Sequence, residues 1–346
     1  MSKSNPLFPT CATRLGAAAA LLVCSLAPQA GELTIYAGAE ADNIKYFSET
    51  FSKAHPNIKL NWVRDSTGII QARVLAEKAN PRADILFAMA VTSMVNLEQQ
   101  DLLLPYTPKG IEKLSPLYLD GRNPAKWVGI YGWASSMCFN TVEAKKANLP
   151  KPTKWADLVN PIYKGKITMP HPASSGTGYL MVSAWIQTMG EANAWAYMDK
   201  LHENIASYSH SGSKPCEQAA SGEFTIGLSF PFRGAQLKGD GAPIDVIVAD
   251  EGTGWEMQTA GIMKGTKNLE DAKTFMDWAL TQGAMEAYGS RYEVTALPVK
   301  VKKPEFFPAD VERKLIKNDF AWAAKEQPRI IAEWRKRYEA KAQPRK

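Results

Sequence analysis

Apolar positions along the chain alternate between two spacings, one close to two residues and one close to 3.6. Residues 32–36 alternate as a strand does, and the apolar residues that follow, such as Phe47 and Phe51, have helical spacing. The same order of strand, loop and helix recurs after strands at 58–63 and 83–88. Three such units in succession predict an α/β fold with a parallel sheet.

A polar loop follows each of these three strands. Ligands of parallel α/β sheets bind at the carboxyl ends of the strands, so these loops are candidate binding segments. The loops span 38–42, 65–68 and 89–93, and their candidate contacts are Glu40, Ser66, Thr67 and Ala90.

The middle of the chain contains a strand at 165–170 that runs into a Ser, Thr and Gly segment and then an apolar helix to Met189. Unpaired N–H groups, hydroxyls and the positive end of the helix dipole converge at such a junction. The segment is predicted to hold phosphate, phosphonate, sulfate or carboxylate, although an ordinary helix cap is the alternative. Its candidate contacts are Ser174, Ser175, Gly176 and Thr177.

Further candidates come from later segments. A polar loop is predicted at 207–216, a strand at 224–230, and a Gly-rich return at 252–259. Amphipathic helices are predicted at 269–280 and 319–338. The candidate contacts in this part of the chain are Ser211, Ser213, Ser229, Arg233 and Glu256.

The first thirty residues have the pattern of a secretory signal. Lys3 and Arg14 precede an apolar stretch that is too short to span a membrane, and small residues make cleavage after Ala30 the best fit. The remainder exceeds one typical domain, which predicts two lobes. We expect lobe 1 to comprise 31–127 plus 255–300, lobe 2 to comprise 128–254, and a C-terminal helical segment to cover 301–346, with 127–139 crossing between lobes.

Composition narrows the function classes. The chain has 41 Lys and Arg residues against 35 Asp and Glu residues, an excess too small to indicate nucleic-acid binding. It has no Walker, Rossmann, nucleophile-elbow or zinc-protease motif, and no metal spacing among its four histidines. An enzyme is therefore not expected, with a secreted hydrolase as the weaker alternative. Cys138 and Cys216 remain after signal cleavage, and an exported protein favours their pairing as a disulfide.

Several blocks of the sequence together resemble the 2-aminoethylphosphonate-binding proteins of bacterial ABC importers. They are Tyr36-Ala-Gly-Ala-Glu-Ala-Asp42, Trp62-Val-Arg-Asp-Ser-Thr-Gly68, Cys138-Phe-Asn-Thr-Val-Glu-Ala-Lys-Lys146, Met169-Pro-His-Pro-Ala-Ser-Ser-Gly-Thr-Gly178, Asp199-Lys-Leu-His-Glu-Asn-Ile205 and His210-Ser-Gly-Ser-Lys-Pro-Cys216. The resemblance implies a monomeric periplasmic receptor of the type II two-lobed fold, with two crossover strands and a central cleft. Such a receptor needs no cofactor, closes around its ligand and delivers it to a membrane permease.

The wider superfamily also includes receptors for ferric ion, polyamines and thiamine. Ferric receptors present a tyrosine pair, whereas this chain has Phe230-Pro-Phe232 in the corresponding region, which lacks the hard oxygen ligands that iron needs. Because Tyr208 is present, a ferric ion remains an alternative ligand. Another small anion is a further alternative.

For 2-aminoethylphosphonate, the Ser, Thr and Gly candidates would surround the phosphonate. The ammonium end needs a carboxylate because a buried charge must be paired. Glu40 is the first choice for this role and Glu256 the second. Arg233 would either face the phosphonate or form a structural ion pair.

Overall fold

The structure is a computed structural model that describes residues 31–292 and 294–344, so the predicted signal peptide at 1–30 lies outside the described residues. Its strands are β1 (Gly31–Ala37), β2 (Ile58–Arg64), β3 (Ile85–Ala90), β4 (Leu103–Leu104), β5 (Val128–Ala134), β6 (Ser136–Asn140), β7 (Ile167–Pro170), β8 (Ile205–Ser209), β9 (Ile226–Ser229), β10 (Ile244–Ile247), β11 (Trp255–Met263) and β12 (Val294–Thr295). Its helices are α1 (Ala41–Ala54), α2 (Thr67–Ala76), α3 (Val91–Gln99), α4 (Thr141–Lys146), α5 (Gly176–Met189), α6 (Glu191–Asn204), α7 (Lys214–Ala220), α8 (Pro231–Gly239), α9 (Leu269–Ala279), α10 (Gln282–Gly289) and α11 (Phe320–Tyr338).

The first sheet has the strand order β12-β5-β11-β3-β1-β2, with β4 paired to β11. Strand β1 runs parallel to β2 and β3, as the three repeated strand-helix units predict. Strand β11 runs antiparallel to both of its neighbours, β3 and β5. Helices α1, α9 and α10 pack against this sheet, and we call the unit the first lobe.

The second sheet has the order β10-β6-β9-β7-β8. Strand β7 is parallel to β8 and β9, whereas β6 is antiparallel to β9 and β10. With helices α4 to α8, it forms the second lobe. The predicted α/β fold with two lobes is confirmed.

The chain crosses between the lobes from β5 to β6 and again from β10 to β11. The two crossings are hydrogen-bonded to each other: Ser135 N–H donates to Gly254 O at 2.8 Å, and Thr253 Oγ1 donates to Ser135 O at 2.6 Å. These hydrogen bonds hold the two crossings side by side, and we expect the hinge between the lobes at this point.

Sheet membership differs from the predicted division of the chain at residue 127. Strand β5, at Val128–Ala134, pairs with β11 and so belongs to the first sheet rather than to lobe 2. The crossing itself is the short step at Ser135, because the predicted extended run at 127–139 is two strands in different sheets.

Two segments were wrongly predicted to lack strands. The presumed Gly-rich return leads directly into β11, whose nine residues are all buried between neighbouring strands and helices. A strand buried on both faces has no polar alternation to reveal it. The presumed polar loop at 207–216 begins with the end of β8 and ends in α7.

The predicted disulfide between Cys138 and Cys216 is confirmed. Both residues are fully buried, with a Cα–Cα distance of 5.3 Å, and the bond joins β6 to α7. The disulfide therefore fastens the loop before α7 to the second sheet.

Helix α11 packs on α3 of the first lobe and on α5 of the second. The residues after it return to the second sheet, where Ala342 forms a parallel bridge with Tyr208. In the described ranges, 31–292 and 294–344, no helix is both long enough and apolar enough to cross a membrane.

Candidate functional site

The loops at the carboxyl ends of the parallel strands meet in a cleft between the lobes, which we call the central cleft. In this arrangement of the lobes the cleft is narrow, with a cavity volume of about 40 Å³. The first lobe contributes Gly38, Glu40, Arg64, Ser66, Thr67, Trp133, Gln258 and Tyr292. The second lobe contributes Ser175, Gly176, Thr177, Gly212 and Phe230.

Helix α2 of the first lobe begins at the cleft. Its N-cap residue, Ser66, adopts an extended conformation and makes no side-chain cap. The first helical residue, Thr67, is buried, and its N–H has no protein acceptor among the described residues. The helix N-terminus therefore presents N–H and hydroxyl donors with a positive helix dipole behind them.

Helix α5 of the second lobe begins at the same cleft. Ser175 is its N-cap, and the Ser175 hydroxyl accepts a long hydrogen bond of 3.4 Å from Gly178 N–H. Trp133 Nε1–H donates to Thr177 Oγ1 at 3.2 Å, which leaves the hydroxyl proton of Thr177 free to donate into the cleft. The helix cap therefore uses only some of the donors in the segment that is predicted to bind an anion.

The two helix N-termini face each other at close range. A Cβ atom added to Gly176 would lie 3.4 Å from Thr67 Oγ1. Nearby, Gly68 N–H donates to Ser174 O at 3.0 Å, a main-chain hydrogen bond from one lobe to the other. A Cβ on Gly68 would lie 2.4 Å from Ala173 O, so only glycine permits this contact. Donors from both lobes therefore surround one small volume, which suits an anion with several acceptor oxygens.

A charged pair lies beside the point where the two helix N-termini meet. Arg64 Nη2 contacts Glu40 Oε2 at 2.9 Å, and Arg64 Nε donates to Ala39 O at 3.1 Å. Burial raises the pKa of the Glu40 carboxyl above its usual value, and the positive charges of Arg64 and Arg233 oppose that rise. The pair offers a cation to an anionic ligand and a carboxylate to a cationic group.

The floor of the cleft is aromatic, with one amide. Trp133, Phe230 and Tyr292 are all buried. The Tyr292 ring stacks on Tyr131 with ring centroids 4.2 Å apart. Gln258 lies among these residues on β11 and is 6% exposed.

An outer part of the cleft continues from Glu40, Arg64 and Ser66 to the loop before α7. This part includes Ser211 and Ser213, whose hydroxyls lie 3.0 Å apart. They therefore flank the entrance rather than the region between the helix N-termini.

Five of the predicted ligand contacts do not line the central cleft, because their side chains contact other parts of the protein. Ala90 is fully buried behind Gly176. Ser174 Oγ lies 3.0 Å from His210 Nδ1, and Ser229 Oγ donates to Gly212 O at 2.7 Å. Their roles are to hold the loops that do line the cleft.

Arg233 forms a structural ion pair, which is one of the two roles considered for it from the sequence. Its guanidinium lies 2.7 Å from Glu217 Oε1 and also donates to Gln236 Oε1 at 2.8 Å.

Glu256 is buried at the N-terminus of α3. Thr92 Oγ1 donates to its carboxylate at 3.1 Å, and Met257 N–H donates at 3.3 Å. Burial raises the pKa of Glu256 to about 8, opposed by these hydrogen bonds and by the main-chain amides of Val91 and Thr92. Glu256 caps a helix and is not available to a ligand in the cleft.

Tyr208, the residue that kept a ferric site open, lies away from the central cleft. Its hydroxyl is 2.9 Å from His202 Nδ1, and its ring packs edge-on against Trp334. Within residues 31–292 and 294–344, no three His, Cys, Asp or Glu side chains are grouped so that they could hold a metal ion.

Several cleft residues were missed by the sequence analysis. Gly38 lies within the first predicted loop and Arg64 directly precedes the second, so their position at strand ends was a usable signal. Trp133, Gln258 and Tyr292 belong to buried or irregular segments whose pairing partners are far away in sequence, so no local pattern marks them.

Comparison with known proteins identifies the family. A model of the bacterial extracellular solute-binding protein family matches residues 80–323. A probable ABC transporter periplasmic-binding protein of Sinorhizobium fredii, y4fP, is 28% identical over 306 residues, covering 86% of this chain and 82% of that protein.

Solved structures agree with this assignment. The periplasmic binding protein AfuA from Actinobacillus pleuropneumoniae, solved with exogenous fructose-6-phosphate bound, is 31% identical, with a TM-score of 0.82 over 89% of this chain and 99% of AfuA. Iron-bound HitA from Pseudomonas aeruginosa is 18% identical, with a TM-score of 0.73 over 88% of this chain and 99% of HitA, a similarity of fold alone. The chain therefore belongs to the bacterial extracellular solute-binding protein family and is a two-lobed, type II receptor of the kind that serves ABC importers outside the cytoplasm.

Proposed function

We propose that this receptor captures a small organic phosphonate, 2-aminoethylphosphonate, and delivers it to the permease of an ABC importer. The observation that carries the proposal is the convergence of two helix N-termini, one from each lobe, on one point. Thr67 of α2 and Gly176 of α5 are in near contact there, with donors on both sides. A phosphonate presents three acceptor oxygens and negative charge, which match this set of donors.

The ammonium end of the ligand would lie toward Glu40. This carboxylate lines the cleft, whereas the second choice from the sequence, Glu256, is used up as a helix cap. The charge of Arg64 beside Glu40 balances the pair, so a zwitterion enters without leaving a buried charge uncompensated. The aromatic floor would cover the two-carbon linker.

A sugar phosphate is the second candidate. AfuA, at 31% identity, was solved with fructose-6-phosphate, and a phosphate ester would use the same donors as a phosphonate. The two candidates differ at the far end, where one ligand has an ammonium group and the other has hydroxyls.

Isothermal titration calorimetry on the chain from residue 31 onward tests the proposal. We expect tight binding of 2-aminoethylphosphonate and far weaker binding of ethylphosphonate, inorganic phosphate, fructose-6-phosphate and ferric ion. Tight binding of fructose-6-phosphate with no response to 2-aminoethylphosphonate would favour the second candidate, and saturable iron binding alone would refute both. Ligand recovered unchanged after long incubation would exclude turnover.

A further inference from the structure

A buried polar residue, Gln258, lies at the floor of the central cleft. It lies on β11, opposite Tyr131 of β5 and Ala90 of β3. The side chain is 6% exposed, and its Oε1 atom has no hydrogen-bond partner among the described residues. Because an unpaired buried acceptor is costly, its position in the cleft indicates a donor that arrives with the ligand.

The balance of donors and acceptors shows which end of the ligand this donor belongs to. The region between the helix N-termini is rich in donors, from Ser66, Thr67, Gly176 and Thr177, and a phosphonate only accepts hydrogen bonds. An ammonium group only donates, and it has three N–H bonds to place. Glu40 offers it a carboxylate, but one oxygen of that carboxylate is already paired with Arg64.

We propose that the side-chain amide oxygen of Gln258 accepts a hydrogen bond from the ammonium group of the ligand and thereby selects for an aminoalkyl over a plain alkyl phosphonate. This inference rests on the proposed function and assigns a specificity residue to the same cleft. A neutral amide supplies an acceptor without adding a charge to the balanced pair of Glu40 and Arg64.

Calorimetry of Gln258→Leu with 2-aminoethylphosphonate and with ethylphosphonate tests the assignment. Leucine has a similar volume but no acceptor. We expect the affinity for 2-aminoethylphosphonate to fall about tenfold, while ethylphosphonate binding changes by less than about twofold. Gln258→Glu, which keeps the shape, should shift the preference in the opposite direction, because a carboxylate attracts the ammonium and repels a ligand that carries only the phosphonate.

Gln327→Leu is the matched control. Gln327 is also 6% exposed, but its amide oxygen is paired with Asn96 Nδ2 at 2.6 Å and it does not line the cleft. This variant should retain the wild-type ratio of the two affinities. Equal weakening of both phosphonates in Gln258→Leu, or unchanged ratios in both Gln258 variants, would overturn the assignment while wild-type binding upheld the proposed function. Failure of the wild-type protein to bind either phosphonate would overturn the proposed function itself, and this inference with it.

Discussion

The hydroxyl of Thr177 shows how contacts within the protein orient a single donor toward the cleft. Trp133 Nε1–H donates to the Thr177 oxygen, so the hydroxyl hydrogen remains for a ligand. The orientation comes from a contact between the lobes, since Trp133 belongs to the first sheet and Thr177 to the second lobe. The hydroxyl is therefore directed when the lobes meet.

Replacing Thr177 by Val should weaken every phosphonate to a similar degree. The substitution keeps the shape but removes one hydrogen bond to a charged group, at a cost of about 1.5–3 kcal/mol, or roughly tenfold to a hundredfold in affinity. Thr177→Ser, which keeps the hydroxyl, is the control and should bind nearly as tightly as the wild type. Calorimetry with 2-aminoethylphosphonate and ethylphosphonate measures both variants, and a loss confined to one ligand would contradict the prediction.

Glu40→Gln should instead change the affinities for 2-aminoethylphosphonate and ethylphosphonate in different ways. Removal of the carboxylate weakens 2-aminoethylphosphonate, whose ammonium loses its charged partner. Ethylphosphonate should bind as well or better, because the guanidinium of Arg64 is then free of its 2.9 Å ion pair and faces only the anion. The ratio of the two affinities is the measurement. Unchanged affinity for 2-aminoethylphosphonate would show that Glu40 does not bind the ammonium group.

At the scale of elements, the helices around the cleft differ in how their N-termini are satisfied. Helix α3 is capped from within by Glu256, and α2 has no side-chain cap. Helix α5 has only the weak cap from Ser175. A fold of this type directs several helix N-termini at one cleft, and the buried carboxyl group of Glu256 occupies one of them. The proposed anion site uses the N-termini of α2 and α5, which their own side chains leave largely uncapped.

The buried cap makes stability depend on pH. Burial raises the pKa of Glu256 from 4.5 to about 8, so between these values the folded protein holds a proton that the unfolded chain has released. The free energy of unfolding therefore falls as the pH rises through this window. In Glu256→Gln, which stays neutral, the melting temperature should decline less between about pH 5 and about pH 8 than in the wild type. Parallel melting curves for the two proteins would contradict this prediction.

Elements with a local signature could be predicted from the sequence, and those defined by distant pairing could not. The helix that begins at Gly176 was predicted from the residues of a single segment and is confirmed. The prediction that its N-terminus binds an anion came from the Ser, Thr and Gly residues of the same segment. Strand β11 was missed because burial on both faces removes the alternation that marks a strand. Glu256 was a reasonable candidate by residue type, but its place at the start of α3 depends on a contact across 164 residues of sequence.

At the scale of the whole molecule, the lobes touch through the main chain at Gly68 and Ser174. The central cleft is complete only in this closed arrangement, because each lobe holds part of the donors. We therefore expect ligand affinity to depend on the two crossings between the lobes as well as on the cleft residues.

Gly68→Ala should impair closure without unfolding either lobe. An added Cβ would lie 2.4 Å from Ala173 O and 2.9 Å from Ser174 O in the closed arrangement. We expect weaker binding of all phosphonates and loss of the ligand-induced contraction in small-angle X-ray scattering, with an unchanged melting temperature in the absence of ligand. Gly283→Ala, whose Cβ would meet no atom within 4 Å, is the control. Normal contraction in Gly68→Ala would show that the main-chain contact does not govern closure.

The contact between Gly68 and Ser174 also bears on how such a receptor changes its ligand in evolution. A hydrogen bond between two main-chain atoms is independent of side-chain identity, so substitutions at Glu40 or Gln258 leave the bond itself in place. The main-chain contact that closes the cleft and the side chains that bind the far end of the ligand can therefore vary independently. If the proposed ligand class is correct, a few point mutations at such positions would change the preferred phosphonate without removing this main-chain contact.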